Sequence, residues 1–168
     1  MSEEVAIETK ELYRGKVVHL QLTTVSLPDG RRKTREILVH PGAAAVVPLM
    51  DDRVMLIEQY RAAVGRKTLE IPAGTLEVGE LPEACAQREL LEETGFQAET
   101  WSQVTAYYPS PGYTTEVIHI FRASGLRNVR EVTPEFPPQF MTVNEVWERI
   151  RAGEIMDSKT IIGVLLAT

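Results

Sequence analysis

The chain has 168 residues, a length that suits one compact domain and is marginal for two. Hydrophobic residues make up 43% and charged residues 25%, which is typical of a globular protein with a buried core. The net charge of −6 argues against nucleic acid as a partner, because binding to a phosphate backbone depends on patches of Lys and Arg. An acidic site that held a phosphate would need a metal cation between the negative charges.

The start of the chain and its cysteine content predict the compartment. Residues 1–4 lack the basic start and apolar stretch of a signal peptide, and no apolar run is long enough to span a bilayer. Since Cys85 is the single cysteine, neither an intramolecular disulfide nor a cysteine-based metal site can form. We therefore expect a cytoplasmic protein without a membrane partner.

The first part of the chain is predicted to be β structure. Strand patterns at 17–22, 24–27 and 35–39, with a turn signal at 28–30, indicate a small antiparallel unit. An apolar strand at 43–50 and an alternating strand at 53–60 are separated by a tight turn, which predicts a hairpin.

The pattern changes to that of a helix from Leu81 to Thr94. Pro82 suits the first turn of this helix, and Gly95 suits the position just past its end. The remainder is predicted as strands at 104–108 and 117–123, a helix at 143–152, and a last helix capped by Asp157 or Ser158. This order lacks a regular βαβ alternation and predicts a mixed α/β or α+β fold.

Three glutamates share one face of the 81–94 helix. Glu89 and Glu93 are four residues apart, and Glu92 is three residues from Glu89. Like charges stacked in this way destabilise a bare helix, whereas a hard divalent cation that binds carboxylate oxygens removes the repulsion. The alternative interpretation is a solvated acidic face on which Arg88 pairs with Glu92.

A longer signature surrounds these glutamates. Glu80 follows Gly74 after five residues, and Arg88 follows Glu80 after seven, ahead of the sequence Glu-Leu-Leu-Glu-Glu-Thr-Gly-Phe that ends at Phe96. The whole stretch resembles the Nudix box at every fixed position. So many constrained positions make this signal far stronger than a lone Gly-rich loop.

The resemblance implies both a fold and a metal-dependent chemistry. The implied fold is an α/β/α sandwich with a mixed sheet, in which an ion pair between Glu80 and Arg88 holds the loop to the helix. The implied cofactor is Mg²⁺, or Mn²⁺ or another divalent cation in its place, which would neutralise a pyrophosphate and lower the pKa of a bound water. The implied metal ligands are Glu89, Glu92, Glu93 and the backbone carbonyl of Ala73.

A second stretch is similar to the ADP-ribose pyrophosphatase branch of this family. It runs from Tyr108 to Glu116, and its Pro111 lies fifteen residues after Phe96. Taken alone, a Pro-Gly pair is an ordinary turn signal. Segments at 13–17, 34–36, 40–42, 58–61 and 70–74 are also similar to the branch. The resemblance implies hydrolysis of ADP-ribose to AMP and ribose 5-phosphate.

The branch also implies a domain organisation and a set of substrate contacts. Residues 1–42 would form an N-terminal antiparallel β arm that is exchanged in a homodimer, and residues 43–168 would form the catalytic domain. For each arginine in the set, a surface ion pair is the alternative interpretation. The implied substrate-binding residues are Val17, Arg35, Glu36, Arg61, Pro111, Gly112 and Glu116.

The chain departs from the branch in the segment 132–140. The branch carries an acidic cluster here that supplies a catalytic base, but in this segment Glu135 is the single acidic residue and three prolines stiffen the backbone. Glu92 and Glu135 are therefore both candidates for the base. Two alternatives to ADP-ribose hydrolysis stay open: cleavage of another nucleoside diphosphate sugar or of a dinucleotide such as FAD, and a non-catalytic sensor that binds a nucleotide sugar.

Overall fold

The computed structural model describes residues 3–129 and 131–168, and its contacts divide the chain into two units. The first unit comprises Met1–Gly42 and Tyr108–Val117. Met1 and Ser2, the first residues of the predicted arm, lie outside the described residues. The second unit comprises Ala43–Tyr107 and Ile118–Thr168. The exchange of the arm between two chains stays a prediction.

The first unit is an antiparallel sheet with a loop along one edge. Its strands β1 (Val5–Arg14), β2 (His19–Ser26) and β3 (Arg32–Val39) pair in the order β1-β2-β3. All ten residues of β1 are exposed, so its sequence has no period-two burial pattern, and the strand was not predicted. On the β3 side, Leu38 N donates to Tyr113 O at 2.7 Å, and Thr115 N donates to Leu38 O at 3.0 Å.

The second unit combines strands with three helices. Its strands are β4 (Ala43–Met50), β5 (Arg53–Arg61), β6 (Arg66–Glu70), β7 (Ala73–Thr75), β8 (Phe96–Gln97), β9 (Thr100–Tyr107), β10 (Ile118–Ser124), β11 (Arg127–Asn128) and β12 (Gln139–Thr142). Its helices are α1 (Pro82–Thr94), α2 (Val143–Arg151) and α3 (Ser158–Ala167). In the described residues, no helix is long and apolar enough to cross a membrane.

The main sheet of the second unit is mixed. Its strands run in the order β12-β5-β4-β10-β9, with β6 paired to β5 and β7 paired to β4. Strand β10 is parallel to β4, and the other pairings within this sheet are antiparallel. The predicted hairpin is present, since Leu49 pairs with Val54 and Met50 with Arg53.

Alternate residues of β4 face two different helix layers, because successive side chains of a strand point to opposite faces. Ala45, Val47 and Leu49 belong to a core that includes Val146 of α2 and Val164 of α3. On the other face, β4 residues pack in two clusters with residues of α1: Ala44 with Cys85 and Ala86, and Val46 with Leu90. The predicted α/β/α sandwich with a mixed sheet is confirmed.

The ends of the helices follow the predicted signals. Pro82 lies in the first turn of α1, and Gly95 ends the helix with a left-handed φ of 72°, which glycine adopts without strain. Asp157 caps α3 by accepting a hydrogen bond from Thr160 N at 2.9 Å. These local signals therefore define the end of α1 and the start of α3.

Candidate active site

Glu93 is a buried carboxylate on α1 that meets the backbone of β7. It is 5% exposed, and its Oε2 accepts a hydrogen bond from Ala73 N at 2.9 Å. Burial raises the pKa of Glu93 to about 8, and the nearby charges of Glu89 and Glu135 add to the rise that the Ala73 N–H opposes. Ionisation of this buried carboxylate is therefore unfavourable, and a bound cation would remove the free-energy penalty.

Glu89 lies against the glycine that begins the box. A Cβ placed on Gly74 would be 1.9 Å from Glu89 Oε1, so any side chain at this position would displace the carboxylate. Glycine is needed here because the loop backbone packs directly on Glu89. Burial raises the pKa of Glu89, although the hydrogen bond and charge of Arg88 oppose the rise.

Arg88 connects three glutamates around the loop. Its Nε and Nη2 donate to Glu80 Oε1 and Oε2 at 2.8 and 2.9 Å, which is the predicted ion pair in a bidentate geometry. Its Nη1 donates to Glu89 Oε1 at 2.6 Å and to Glu92 Oε2 at 3.2 Å. The same guanidinium nitrogen therefore contacts both Glu89 and Glu92. Arg88 lies between these two predicted metal ligands.

The segment 132–140 is fixed to the end of α1 by its backbone. Glu135 N donates to Glu92 O at 3.1 Å, and Phe136 N donates to Glu93 O at 2.9 Å. The last carbonyls of a helix have no partner within the helix, so this segment satisfies two of them. Glu135 itself is exposed, as is more than half of the Glu92 side chain.

The predicted metal ligands have the oxygen donors that suit a hard divalent cation. Two of them, Glu89 and Glu92, are hydrogen-bonded to Arg88. The oxygen donors of the glutamates and of the Ala73 carbonyl are the type that Mg²⁺ prefers. In the described residues, no three acidic, His or Cys side chains converge as a ready ligand set. The reason is that Glu89 and Glu92 bond to Arg88 while Glu93 bonds to Ala73. A cation would compete with the guanidinium for the carboxylates.

Several predicted substrate residues line one groove of the first unit. The groove has a volume of about 280 Å³ and includes Arg35, Pro111 and Gly112. The Arg35 guanidinium makes a bidentate ion pair with Glu4, with Nε to Oε2 at 3.0 Å. The other predicted residues of this unit are placed elsewhere: Glu36 is exposed on β3, Val17 is 48% exposed between β1 and β2, and Glu116 Oε1 lies 3.8 Å from His40 Nδ1.

Arg61, the remaining predicted substrate residue, belongs to a buried charge network in the second unit. Its Nε and Nη2 donate to Glu70 at 2.9 and 2.6 Å. Glu70 is 2% exposed and also accepts hydrogen bonds from Lys159 and Thr68. The contact between Glu70 and Lys159 was not predicted from the sequence, because the two residues are 89 positions apart.

The family assignment agrees with this geometry. A family model described as the NUDIX domain matches residues 39–159, which is more than half of the chain. The chain belongs to the Nudix family. The family predicted from the box sequence is therefore confirmed, and the matched range includes α1, the loop before it and the network around Glu70.

Two relatives are similar to this Nudix chain over nearly its whole length. The methanol dehydrogenase activator of Bacillus methanolicus is 39% identical, with 96% of this chain and 91% of the relative covered. The ADP-ribose pyrophosphatase of Bacillus subtilis is 38% identical with the same coverage of both chains. The crystal structure of an ADP compounds hydrolase shares the fold with a TM-score of 0.84 at 20% identity, covering 98% of this chain and 91% of the other.

Proposed function

We propose that this chain is a Mg²⁺-dependent Nudix pyrophosphatase that hydrolyses ADP-ribose to AMP and ribose 5-phosphate. The observation that carries the proposal is the contact between α1 and the start of the box. There, Glu93 bonds to Ala73 N, and Glu89 packs on Gly74 in a space that no side chain can share. The name of the Bacillus subtilis relative supports ADP-ribose as the substrate.

The chemistry assigns separate tasks to the residues of the site. Glu89, Glu92, Glu93 and the Ala73 carbonyl would hold the cation. When bound, Mg²⁺ neutralises the pyrophosphate and lowers the pKa of the attacking water. Arg88 would give up a carboxylate contact to a bound cation and would stay anchored through its bidentate pair with Glu80. The result is hydrolysis of the bond between the two phosphates.

Glu92 and Glu135 are the two candidates for the general base. Both side chains are exposed near the end of α1, so either carboxylate has access to an attacking water. Loss of a general base lowers kcat by roughly a hundredfold or more. Replacing Glu92 and Glu135 separately by Gln identifies the base as the residue whose loss has that effect. If neither replacement lowers kcat to this extent, the assignment fails.

Two arginines are assigned to the substrate in this proposal. Arg61 and Arg35 bind phosphate or ribose oxygens, since a guanidinium offers a fork of donors to such groups. For Arg35 this requires the substrate to replace Glu4. The remaining contacts are assigned to Val17, Glu36, Pro111, Gly112 and Glu116. The partner is a small nucleoside diphosphate compound and not a nucleic acid, which agrees with the net charge of −6.

The homodimer with exchanged arms is part of the same proposal. It is supported by β1, whose exposed apolar residues include Val5 at 63% and Tyr13 at 59%. A strand with an open edge and exposed apolar side chains calls for a partner that covers it. Light scattering after size exclusion should give twice the chain mass of 18.8 kDa, whereas a monomer would contradict arm exchange. We place the enzyme in the cytoplasm.

The deciding experiment is incubation with ADP-ribose and Mg²⁺ and quantification of AMP. Controls with EDTA and with Glu93→Gln should both abolish release. GDP-mannose and FAD, assayed in parallel, test the alternative substrates. Tight binding of intact ADP-ribose in Mg²⁺ without turnover would replace the enzyme proposal by the sensor.

The name of the Bacillus methanolicus relative favours a second candidate, activation of a dehydrogenase. The test adds the chain to a purified methanol dehydrogenase and follows alcohol oxidation. Stimulation that is lost in Glu93→Gln would show that the Nudix chemistry carries the effect. Stimulation that survives in Glu93→Gln would indicate a binding role instead.

A further inference from the structure

The N-terminal turn of α3 contacts the segment that leads into the metal site. Asp157 Oδ2 accepts hydrogen bonds from Thr160 N at 2.9 Å and from Thr160 Oγ1 at 2.6 Å. The Thr160 hydroxyl in turn accepts a hydrogen bond from Ile71 N at 2.9 Å, and this contact is buried. The cap of α3 is thereby linked to the backbone just after β6.

Lys159 links the same turn to Glu70. Its side chain is 10% exposed, and its Nζ donates to Glu70 Oε2 and, at 3.0 Å, to Asp157 Oδ1. Arg61 also pairs with Glu70. The network therefore contains two positive side chains, those of Arg61 and Lys159, and two carboxylates, so its net charge is zero. Buried ion pairs often give no more stability than apolar residues of similar volume, so stability alone is a weak reason for a lysine at this position.

Each residue from Glu70 to Ala73 makes a hydrogen bond with another part of the second unit. Glu70 is held by Lys159, and Ile71 N by Thr160. Pro72 O accepts a hydrogen bond from Val46 N at 2.9 Å, and Ala73 N donates to Glu93 Oε2 at 2.9 Å. The segment therefore has a fixed contact at every position, and its last residue is the one that meets the metal site.

Close packing of α3 reinforces this placement. A Cβ on Gly163 would lie 2.8 Å from Val47 Cγ2 and 3.1 Å from Ile71 Cδ1. The helix axis can therefore approach the sheet closely at Ile71. A shift of the helix start would be transmitted to the segment because little free space separates them.

We propose that Lys159 is a positioning residue for the metal site, which fixes Glu70 so that the 70–73 segment presents Ala73 to Glu93. Lys159 touches neither the cation nor the substrate. The inference rests on the proposed function only in taking Ala73 and Glu93 as metal-binding residues. Its consequence is that the affinity for the cation depends on a side chain at the start of the last helix.

The test is the affinity of the substrate-free protein for Mn²⁺, measured from the signal of free aqueous Mn²⁺ by electron paramagnetic resonance. Lys159→Met should weaken Mn²⁺ binding by about tenfold to a hundredfold, as the loss of partners that orient metal ligands does. Arg66→Met is the matched control. Arg66 and Lys159 line one cavity of about 490 Å³, and Arg66 Nη2 donates to Met156 Sδ at 2.9 Å. This control should bind Mn²⁺ as the native chain does.

A double variant separates positioning from stability. Glu70→Gln combined with Lys159→Met removes one charge of each sign, so the chain should fold even if Lys159→Met alone does not. We expect the double variant to fold with a smaller loss of stability than Glu70→Gln alone, because only Arg61 then lacks the shared carboxylate, and still to bind Mn²⁺ at least about tenfold more weakly. Native Mn²⁺ affinity in the folded Lys159 variants would overturn the proposal, because Lys159 would then only stabilise the fold.

The Mn²⁺ readout does not depend on the substrate. Suppose that the native chain releases no AMP from ADP-ribose and that Lys159→Met still binds Mn²⁺ more weakly than the native chain. This result would refute the proposed function and leave the positioning role standing. Conversely, rapid AMP release by the native chain together with an unchanged Mn²⁺ affinity in the variants would refute the positioning role alone.

Discussion

Glu70 and Glu93 are two buried glutamates of one unit whose surroundings shift their pKa values in opposite directions. They are 2% and 5% exposed. For Glu70, burial alone would raise the pKa, but hydrogen bonds and charges from Arg61 and Lys159 offset this effect and hold it at about 2. For Glu93, burial raises the pKa to about 8, since the Ala73 N–H is a weak compensation and Glu89 and Glu135 add like charge.

The opposite pKa shifts show how a carboxylate with a structural role can be distinguished from a carboxylate of a functional site. Both regions remove a carboxylate from water, and in one of them the protein supplies the countercharge itself. In the other, the protein offsets the charge only in part, and the proposed function assigns the remaining countercharge to a bound cation. A buried carboxylate with a raised pKa beside others is therefore a stronger pointer to function than burial or acidity alone.

The largest expected effect is that of Glu93→Gln on catalysis. The amide keeps the size of the side chain but loses the charge that binds the cation. Since a metal ion supplies several kcal/mol of transition-state stabilisation, AMP release should fall by about a thousandfold. Urea unfolding of the metal-free variant should require at least as much denaturant as the native chain. A marked loss of stability would assign Glu93 to the same structural class as Glu70.

Glu70→Gln should have the reverse profile. It leaves Arg61 and Lys159 without their shared carboxylate in a buried place, and removal of one partner of such a pair costs about 3 kcal/mol or more. The expected result is a lower midpoint of urea unfolding, measured without metal. Arg66→Met on the same cavity serves as the control and should change the midpoint little. If Glu70→Gln were as stable as the native chain, the negative charge of Glu70 would not contribute to stability.

The two carboxylates should also give opposite dependences on pH in the metal-free protein. Glu70 has a pKa of about 2 against an ordinary 4.5, so its contribution to stability is present above pH 4.5 and is lost as the pH falls towards 2. Glu93 has a raised pKa, so its contribution is present below pH 4.5 and is lost as the pH rises through 8.

The Glu93 effect can be isolated by comparison with Glu93→Gln. Between pH 5 and pH 8 in EDTA, the native chain should lose about 3 kcal/mol of unfolding free energy relative to the variant. Saturating Mg²⁺ should remove most of this loss, because the cation favours the ionised carboxylate. Equal pH slopes for the native chain and the variant would mean that Glu93 titrates as an ordinary glutamate.

The smallest expected effect concerns Cys85, a buried group that needs no countercharge. Its thiol is fully buried, and its Sγ lies 3.6 Å from Gly74 O. Burial raises the pKa of Cys85 to about 12, so the reactive thiolate is scarce at neutral pH. A chromogenic disulfide reagent should react slowly with the native chain and rapidly in urea. Cys85→Ala should cost only about 1 kcal/mol. Fast labelling of the native chain would contradict the packing of α1 on β7.

The box and the helix ends could be predicted from the sequence because their signals are local. Glu89, Glu92 and Glu93 lie within one turn and a half of helix, and Gly95 marks its end by its conformation. The requirement for Gly74 was also visible, although its physical cause was not. That cause is the contact with Glu89, which the fold alone creates.

The Lys159–Glu70 pair and strand β1 could not be predicted for two different reasons. The pair joins residues 89 positions apart, and neither residue stands out locally, since Lys159 begins an apolar helix and Glu70 ends a short strand. Strand β1 is exposed along its whole length, so its sequence lacks the alternation that burial of one face imposes. Arg61 was predicted as a substrate contact, but its bidentate pairing with Glu70 was not.

The attachment of the 132–140 segment to α1 makes two backbone amides into reporters of the site. Glu135 N and Phe136 N donate to the carbonyls of Glu92 and Glu93, so their protons exchange with solvent only when the segment leaves the end of the helix. The exchange rate of this amide pair would therefore measure how often the carboxylate of Glu135 moves away from α1. Such a measurement needs neither substrate nor metal, and it follows a motion that rates of product formation would report only indirectly.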